Sequence, residues 1–376
     1  MPRRAVMSRG EFMSRKVRSI IGYSVLALVV VISVLGWRFL AAAGYFTGIR
    51  QEIAADCRAI PAVPGPEDIE VDHATGIAFV SGEATAPVAS GVPGAGAIRG
   101  GIYVIDLNEP QENWALRPVT PNEPADFRPH GISLYEGNGV KRLFAVSHPS
   151  TGVETVEIFD IGEGGMLTHV RSVTSDVFIS LNDVVAAGPE SFYATNDHGT
   201  RSEMGKLIDD LLLLRNANVV YFDGEKGEVA ADTILYANGI NLSEDGRTMY
   251  VSALLSMAMN LYERDPETGA LRWYDTVRLG TGVDNIDRQP DGTLLIGAHP
   301  DIIAFLGHAG DPAKHSPSQV VRIEPDTKRA GTIYLNLGEE ISGISVAAGY
   351  GDLMLLGQVF EPEVLVCSQS KELRAY

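Results

Sequence analysis

Ser180-Leu181-Asn182-Asp183-Val184-Val185 is an apolar, β-branched run with two adjacent oxygen-bearing side chains in its middle, and Asn196-Asp197-His198 follows it. In an extended segment neighbouring side chains point to opposite faces, so Asn182 and Asp183 are expected to serve two sites stacked one above the other. The same doublet recurs as Glu67-Asp68 and as Asp284-Asn285, while Asn238-Gly239-Ile240-Asn241 and His130-Gly131-Ile132 occupy similar places. The rest of the chain reads as scaffold that brings these five stretches to one axis.

Around each stretch one pattern repeats: a ligand-like polar residue, a short apolar run, a Gly or Asp-Gly turn, and a second apolar run. Asn238-Gly239-Ile240 leads to Asp245-Gly246-Arg247-Thr248-Met249-Tyr250-Val251, and Asp284-Asn285-Ile286 leads to Asp291-Gly292-Thr293-Leu294-Leu295-Ile296. With Ser342-Gly343-Ile344-Ser345-Val346 there are six copies, roughly 46 to 62 residues apart, a period that belongs to propeller blades. Further strand candidates such as Val156-Glu157-Ile158-Phe159 and Val320-Val321-Arg322-Ile323 supply the four strands a blade needs. The expected fold is all-β, a six-bladed β-propeller with a central channel. A β-sandwich leaves the six-fold period unexplained.

The chain has 376 residues with 40 Gly and 20 Pro, which suits a turn-rich β protein. Its net charge of -18 argues against nucleic acid as a partner, since phosphate binding needs a basic surface. The N-terminus differs in kind: residues 1–18 carry six Arg and Lys against the single acid Glu11, and Ser19 to Trp37 is free of charge. That run is long enough to span a bilayer. The expected organisation is a basic cytoplasmic segment (1–18), a transmembrane signal anchor (19–43), a connector (44–66) and the six-bladed propeller domain (67–376). The basic flank stays in the cytoplasm and the domain lies outside it. Ala41-Ala42-Ala43 leaves cleavage, and hence secretion, as the competing reading.

Cys57 and Cys367 are the only cysteines. Outside the cytoplasm such a pair readily becomes a disulfide, and two buried thiols are the alternative. A bridge between the first and last strands suits a ring whose ends meet. Two segments interrupt the blade pattern. The stretch from Glu83 to Arg99 reads as a long loop, and Arg201 to Asn216 reads as a helix whose apolar side is expected to pack on the protein, a lid touching the membrane being the alternative.

Since the first strand of each blade lines the channel, Glu67, Asn182, Asn238, Asp284 and Asn285 form a ring of oxygen ligands. Calcium takes about 6–8 oxygens, so five protein groups leave positions for water or substrate. Asp68 and Asp183, with a backbone carbonyl near Ile132, point to a second ion deeper in the channel. Zinc suits this set poorly, because amide oxygens dominate it. His130 heads its blade strand and is the expected base towards water, with His148 beside it as orienter. His198 and His299 end blade strands and are expected to border the site or satisfy local hydrogen bonds.

Phe127-Arg128-Pro129-His130-Gly131-Ile132-Ser133, Leu181-Asn182-Asp183-Val184-Val185, Ala237-Asn238-Gly239-Ile240-Asn241 and Val283-Asp284-Asn285-Ile286 resemble the serum paraoxonase/arylesterase family, from about Cys57 to Cys367. The resemblance implies a six-bladed propeller with two calcium ions, one catalytic and one structural. It places the catalytic ion on Glu67, Asn182, Asn238, Asp284 and Asn285, and the structural ion on Asp68, Asp183 and the Ile132 carbonyl. It also implies a His130/His148 dyad, a Cys57–Cys367 disulfide and a retained hydrophobic N-terminus. The chain departs from the pattern in lacking a tyrosine in the Glu83 to Arg99 loop, in lacking aromatics on the Arg201 to Asn216 helix, and in carrying Ala298 where some members have a free cysteine.

The expected activity is calcium-dependent hydrolysis of lactones, with aryl esters and phosphotriesters as side substrates. Asp284 or Glu67 is the alternative base or nucleophile. A sugar-lactone hydrolase of a related propeller family and a non-catalytic, membrane-tethered binding propeller are the other function classes.

Overall fold

The computed structural model describes residues 9–49, 53–82 and 100–368, with side chains from residue 17 onward. The expected loop from Glu83 to Arg99 and residues 1–8 of the basic segment lie outside the described residues. A long helix, α1 (Arg9–Ala42), opens the chain. Its apolar stretch Val17–Ala42 contains an 18-residue run of mean hydropathy 2.4, none of it buried in the protein, so it is long and apolar enough to cross a membrane. Next comes β1 (Asp56–Pro61), which stays unpaired until the end of the chain returns to it.

Five consecutive four-stranded antiparallel sheets follow. They are β2 to β5 (Ile69–Asp72, Ile77–Gly82, Gly101–Asp106, Arg117–Pro118) and β6 to β9 (Pro129–Gly137, Val140–Ser147, Thr155–Ile161, Leu167–Val173). Then come β10 to β13 (Leu181–Ala186, Phe192–Asn196, Ala217–Phe222, Gly227–Ile234) and β14 to β17 (Ala237–Leu242, Thr248–Ala253, Ala258–Arg264, Leu271–Arg278). The fifth holds β18 to β21 (Gly282–Arg288, Leu294–His299, Ser318–Glu324, Arg329–Asn336). The sixth blade contains β22 (Ile344–Tyr350), β23 (Leu353–Gln358) and β24 (Glu363–Ser368), and β1 supplies its outer strand. The fold is a six-bladed β-propeller. Its inner strands β2, β6, β10, β14, β18 and β22 neighbour one another in a closed ring. Cys57 and Cys367 stand opposite each other in the β1–β24 register and form a disulfide, so the two ends of the ring are tied covalently.

Cores lie between adjacent blades. Phe144, Val146 and Ile158 of one blade interlock with Leu181, Val184 and Phe192 of the next, all nearly inaccessible to water. Burying each such side chain is worth about 1.5–3 kcal/mol, so the blade-to-blade faces hold the ring together.

The polar doublets have a backbone cause. In β10, Leu181 pairs with Asn196 and Val184 with Ala194, so Asn182 and Asp183 together face the single residue Thr195. Likewise Asn238-Gly239 face Ser252, Asp284-Asn285 face Gly297, and His130-Gly131 face Val146. Each is a β-bulge, which inserts one residue and re-aims the side chains around it. Plain strand alternation was the sequence expectation; a repeated bulge replaces it.

Candidate active site

The bulged ends of the inner strands meet in a cavity of about 570 Å³ at one end of the channel. Glu67, Asn182, Asn238 and Asp284 line it, together with His130 and His148. Asn285 lies against this floor and donates from Nδ2 to Glu67 Oε1 (2.8 Å). The structure therefore brings all five expected ring members together. Asn182, Asn238 and Asn285 are at most 7 % exposed, and the Oδ1 of each lacks a hydrogen-bond partner. A buried amide oxygen left unpaired costs about 1–3 kcal/mol, so three of them at the cavity floor call for a partner.

Asp68 and Asp183 lie outside the cavity lining and act across blade boundaries. Asp68 Oδ2 accepts from Ile132 N–H (2.7 Å) and Oδ1 from Ile69 N–H (2.9 Å). Asp183 Oδ2 accepts from Ile240 N–H (2.8 Å) and Oδ1 from Val184 N–H (2.7 Å). Each carboxylate thus ties its own inner strand to that of a neighbouring blade. Burial, reinforced by the Glu67 charge, pushes the Asp68 carboxyl up to about 8. Burial and then Asp68 push Asp183 well above the usual carboxylate range. The lower channel is a place where negative charge is held at a cost. Gly239 permits the tight stacking of blades here, since a Cβ on it would lie 2.4 Å from Asp284 O.

Among the described residues no three His, Cys, Asp or Glu side chains converge as a metal cage. The donor set at the cavity floor instead mixes two carboxylates with three amides. All are oxygen donors, the chemistry that a hard cation such as calcium requires. The residues present fit that ion.

His130 and His148 pack edge to face, ring centroids 5.1 Å apart. His130 Nε2 lies 3.7 Å from Glu67 Oε1, and its buried Nδ1 is without a hydrogen-bond partner. His148 Nδ1 lies 2.7 Å from Glu154 Oε2, and Glu154 also lines the cavity. Glu154 went unnoticed in the sequence, where it is one acid in a polar loop. A second pair joins Asp284 Oδ2 to His299 Nε2 at 2.7 Å, both residues buried, and Phe305 packs against the His299 ring. His299, expected to border the site or satisfy a local hydrogen bond, does both.

His198 stands between Asp197 and Asp210, with Nδ1 2.8 Å from Asp197 Oδ1 and Nε2 3.1 Å from Asp210 Oδ1. Burial opposes its charge, but hydrogen bonds to the two aspartates prevail and push the imidazolium up to about 9. Asp210 belongs to α2 (Glu203–Leu212), capped by the Ser202 hydroxyl accepting from Gly205 N–H. The expectation that its apolar side packs on the protein is corrected. Met204, Ile208 and Leu212 are exposed, and Leu207 and Leu211, also exposed, border the cavity. Polar groups hold this helix down instead: Asp209 is its buried residue and accepts from Asn216 Nδ2 (2.8 Å). The opposite wall is α3 (Ile302–Gly310), which contributes Ile302, Phe305 and Leu306.

A closed propeller ring with an apolar-walled cavity, buried oxygen donors and paired histidines defines the chain as a propeller hydrolase. The arylesterase family model matches residues 57–368, and the chain belongs to that family. It is 34 % identical over 345 residues to serum paraoxonase/arylesterase 2 of Rattus norvegicus, covering 88 % of this chain and 94 % of the rat protein. It is 32 % identical to serum paraoxonase/lactonase 3 of Homo sapiens, covering 81 % of this chain and 85 % of that protein. Among solved structures, a luciferin-regenerating enzyme superposes with a TM-score of 0.54 at 11 % identity, over 84 % of this chain and 95 % of its own. That likeness concerns the fold alone.

Proposed function

We propose that the chain is a calcium-dependent lactone hydrolase, with aryl esters and phosphotriesters as secondary substrates. The observation that carries this reading is the convergence of three unpartnered, buried amide oxygens, from Asn182, Asn238 and Asn285, with the carboxylates of Glu67 and Asp284. These five residues would hold the catalytic calcium. Asp68 and Asp183, with the Ile132 carbonyl, would hold a structural one. When bound, the catalytic ion supplies Lewis-acid polarisation of the substrate carbonyl and charge for the developing oxyanion.

The protein's own groups do the rest. His130, whose ring lines the cavity, takes a proton from the attacking water. Glu67 Oε1 stands 3.7 Å from His130 Nε2. His148 packs on the His130 ring and is itself fixed by Glu154, so the dyad becomes a chain of three. Water adds to the carbonyl carbon, the ring C–O bond breaks, and the released alkoxide takes back a proton to leave a hydroxy acid. Asp284 is the alternative base, because His299 orients its carboxylate from below. The cavity walls, built from Leu207, Leu211, Leu254, Leu255, Ile302 and Phe305, favour apolar lactones over sugar lactones.

The N-terminal helix and the disulfide support an extracytoplasmic localisation. The reading is a signal anchor at 19–43 with the domain outside the cytoplasm, where Cys57 and Cys367 are oxidised. The test is turnover of a panel of lactones and aryl esters by the full chain in lipid nanodiscs, with calcium, after chelation and after calcium is restored. Calcium-reversible lactone hydrolysis is expected. A folded protein with no turnover on any member would leave a binding propeller as the better reading.

A further inference from the structure

Helix α1 is exposed over most of its length, yet Leu35, Phe39, Leu40 and Ala42 in its last turns are partly covered, and Ala43 just beyond it is buried. Leu35, Phe39 and Ala42, spaced four and three residues apart, share one helical face. The helix stops in a Schellman motif: Tyr45 N–H donates to Leu40 O (3.1 Å) and Gly44 N–H to Ala41 O (3.3 Å). Gly44 has a φ of +76°, and a Cβ on it would lie 2.2 Å from Pro300 O. The Ala43 carbonyl, which the helix leaves over, accepts from the N–H of Ile302 at 2.9 Å. One helix end thus satisfies another, since Ile302 begins α3 and its N–H has no partner within that helix. Ala43 is fully buried among Leu235, Leu254, Leu255 and Ile302, and Phe39 reaches the reaction cavity itself.

We propose that the last turn of α1 is a wall of the reaction cavity, and that Phe39 is a specificity-determining residue that packs on the apolar tail of the lactone. The proposal rests on the lactonase reading above. A helix serving only as a tether needs no more than a linker to its domain. This one ends in a buried junction with the elements that line the site. Loss of the segment at Ala41-Ala42-Ala43 would remove Phe39 and open that wall, so the active form of the enzyme retains its N-terminal helix.

The experiment uses the full chain in nanodiscs and measures kcat/KM for γ-lactones that carry alkyl tails of increasing length. Phe39→Ala should lower kcat/KM about tenfold more for the longest tail than for the tailless ring, the effect of losing one buried aromatic contact. Phe39→Leu should restore most of the loss. Gly44→Val, for which there is no room beside Pro300, should give the same tail-dependent loss with Phe39 in place. A loss equal at every tail length, or none, overturns the proposal. Calorimetric binding of tailed lactams, which are not turned over, separates the two readings. If no lactone is hydrolysed but lactam binding weakens in Phe39→Ala in step with tail length, the lactonase reading fails and the cavity wall stands. Lactam binding that ignores Phe39 removes the wall.

Discussion

Asp284 and His299 face each other across the β18–β19 hairpin, Oδ2 to Nε2 2.7 Å apart, with neither residue more than 4 % exposed. The β18 bulge aims Asp284 at the cavity, and the last residue of β19 holds it there. In this arrangement His299 is a positioning residue. His299→Gln should therefore lower kcat about tenfold with KM little changed, whereas Asp284→Ala should abolish turnover. Steady-state kinetics on one lactone distinguishes the two.

The histidine chain makes a separate prediction. His130→Gln removes the proposed base and should cost about 10²–10⁴ in kcat. Glu154→Gln leaves both rings in place but weakens the contact that fixes His148, so it should lower kcat less than His130→Gln does. Near-normal lactonase activity in His130→Gln would hand the base role to Asp284.

Calcium binding is linked to stability. A ligand that binds only the native state stabilises it by about 2.7 kcal/mol at one hundred times its Kd. Chelation should lower the melting temperature of the full chain, and calcium should restore it. Asn182→Leu replaces an unpaired amide with an apolar group of similar size. It should melt no lower than wild type after chelation, yet gain less from added calcium. Differential scanning calorimetry with and without chelator reads both effects.

The His198 bridge gives a pH dependence with a definite sign. Its folded value, about 9, lies above the ordinary 6.5, so its contribution is fully present below about 6.5 and is lost as pH rises through about 9. The link at stake joins α2 to the rim. Hydrogen exchange of α2 amides should accelerate above pH 9 beyond the intrinsic rate, and His198→Gln should flatten that excess.

Ring closure is testable by reduction. The Cys57–Cys367 bridge spans a sequence separation of 310 residues. In the chain-entropy model its loss costs roughly 5–6 kcal/mol. The double variant Cys57→Ala/Cys367→Ala should show this as a lower denaturant midpoint, with propeller circular dichroism retained at low denaturant.

Much of this protein is legible along the chain. The six-fold recurrence of polar residue, apolar run and Gly turn specifies blades, because each blade must present one polar strand end to the axis and bury the rest. The doublets Glu67-Asp68, Asn182-Asp183 and Asp284-Asn285 stand out because oxygen donors amid β-branched residues have no role in an ordinary buried strand. The apolar run from Ser19 to Trp37 is equally plain, since bilayer spanning is a property of length and local composition.

Only the tertiary structure decided the remainder, because it depends on contacts between residues far apart in sequence. The bulges are set by pairing with a second strand, and a strand read alone shows no inserted residue. Glu154 meets His148, and Asp210 meets His198, through folds of the chain that no local spacing encodes. Phe39 lies in a helix whose sequence announces only hydrophobicity, and it becomes a cavity residue because Ala43 and Gly44 dock against Ile302 and Pro300.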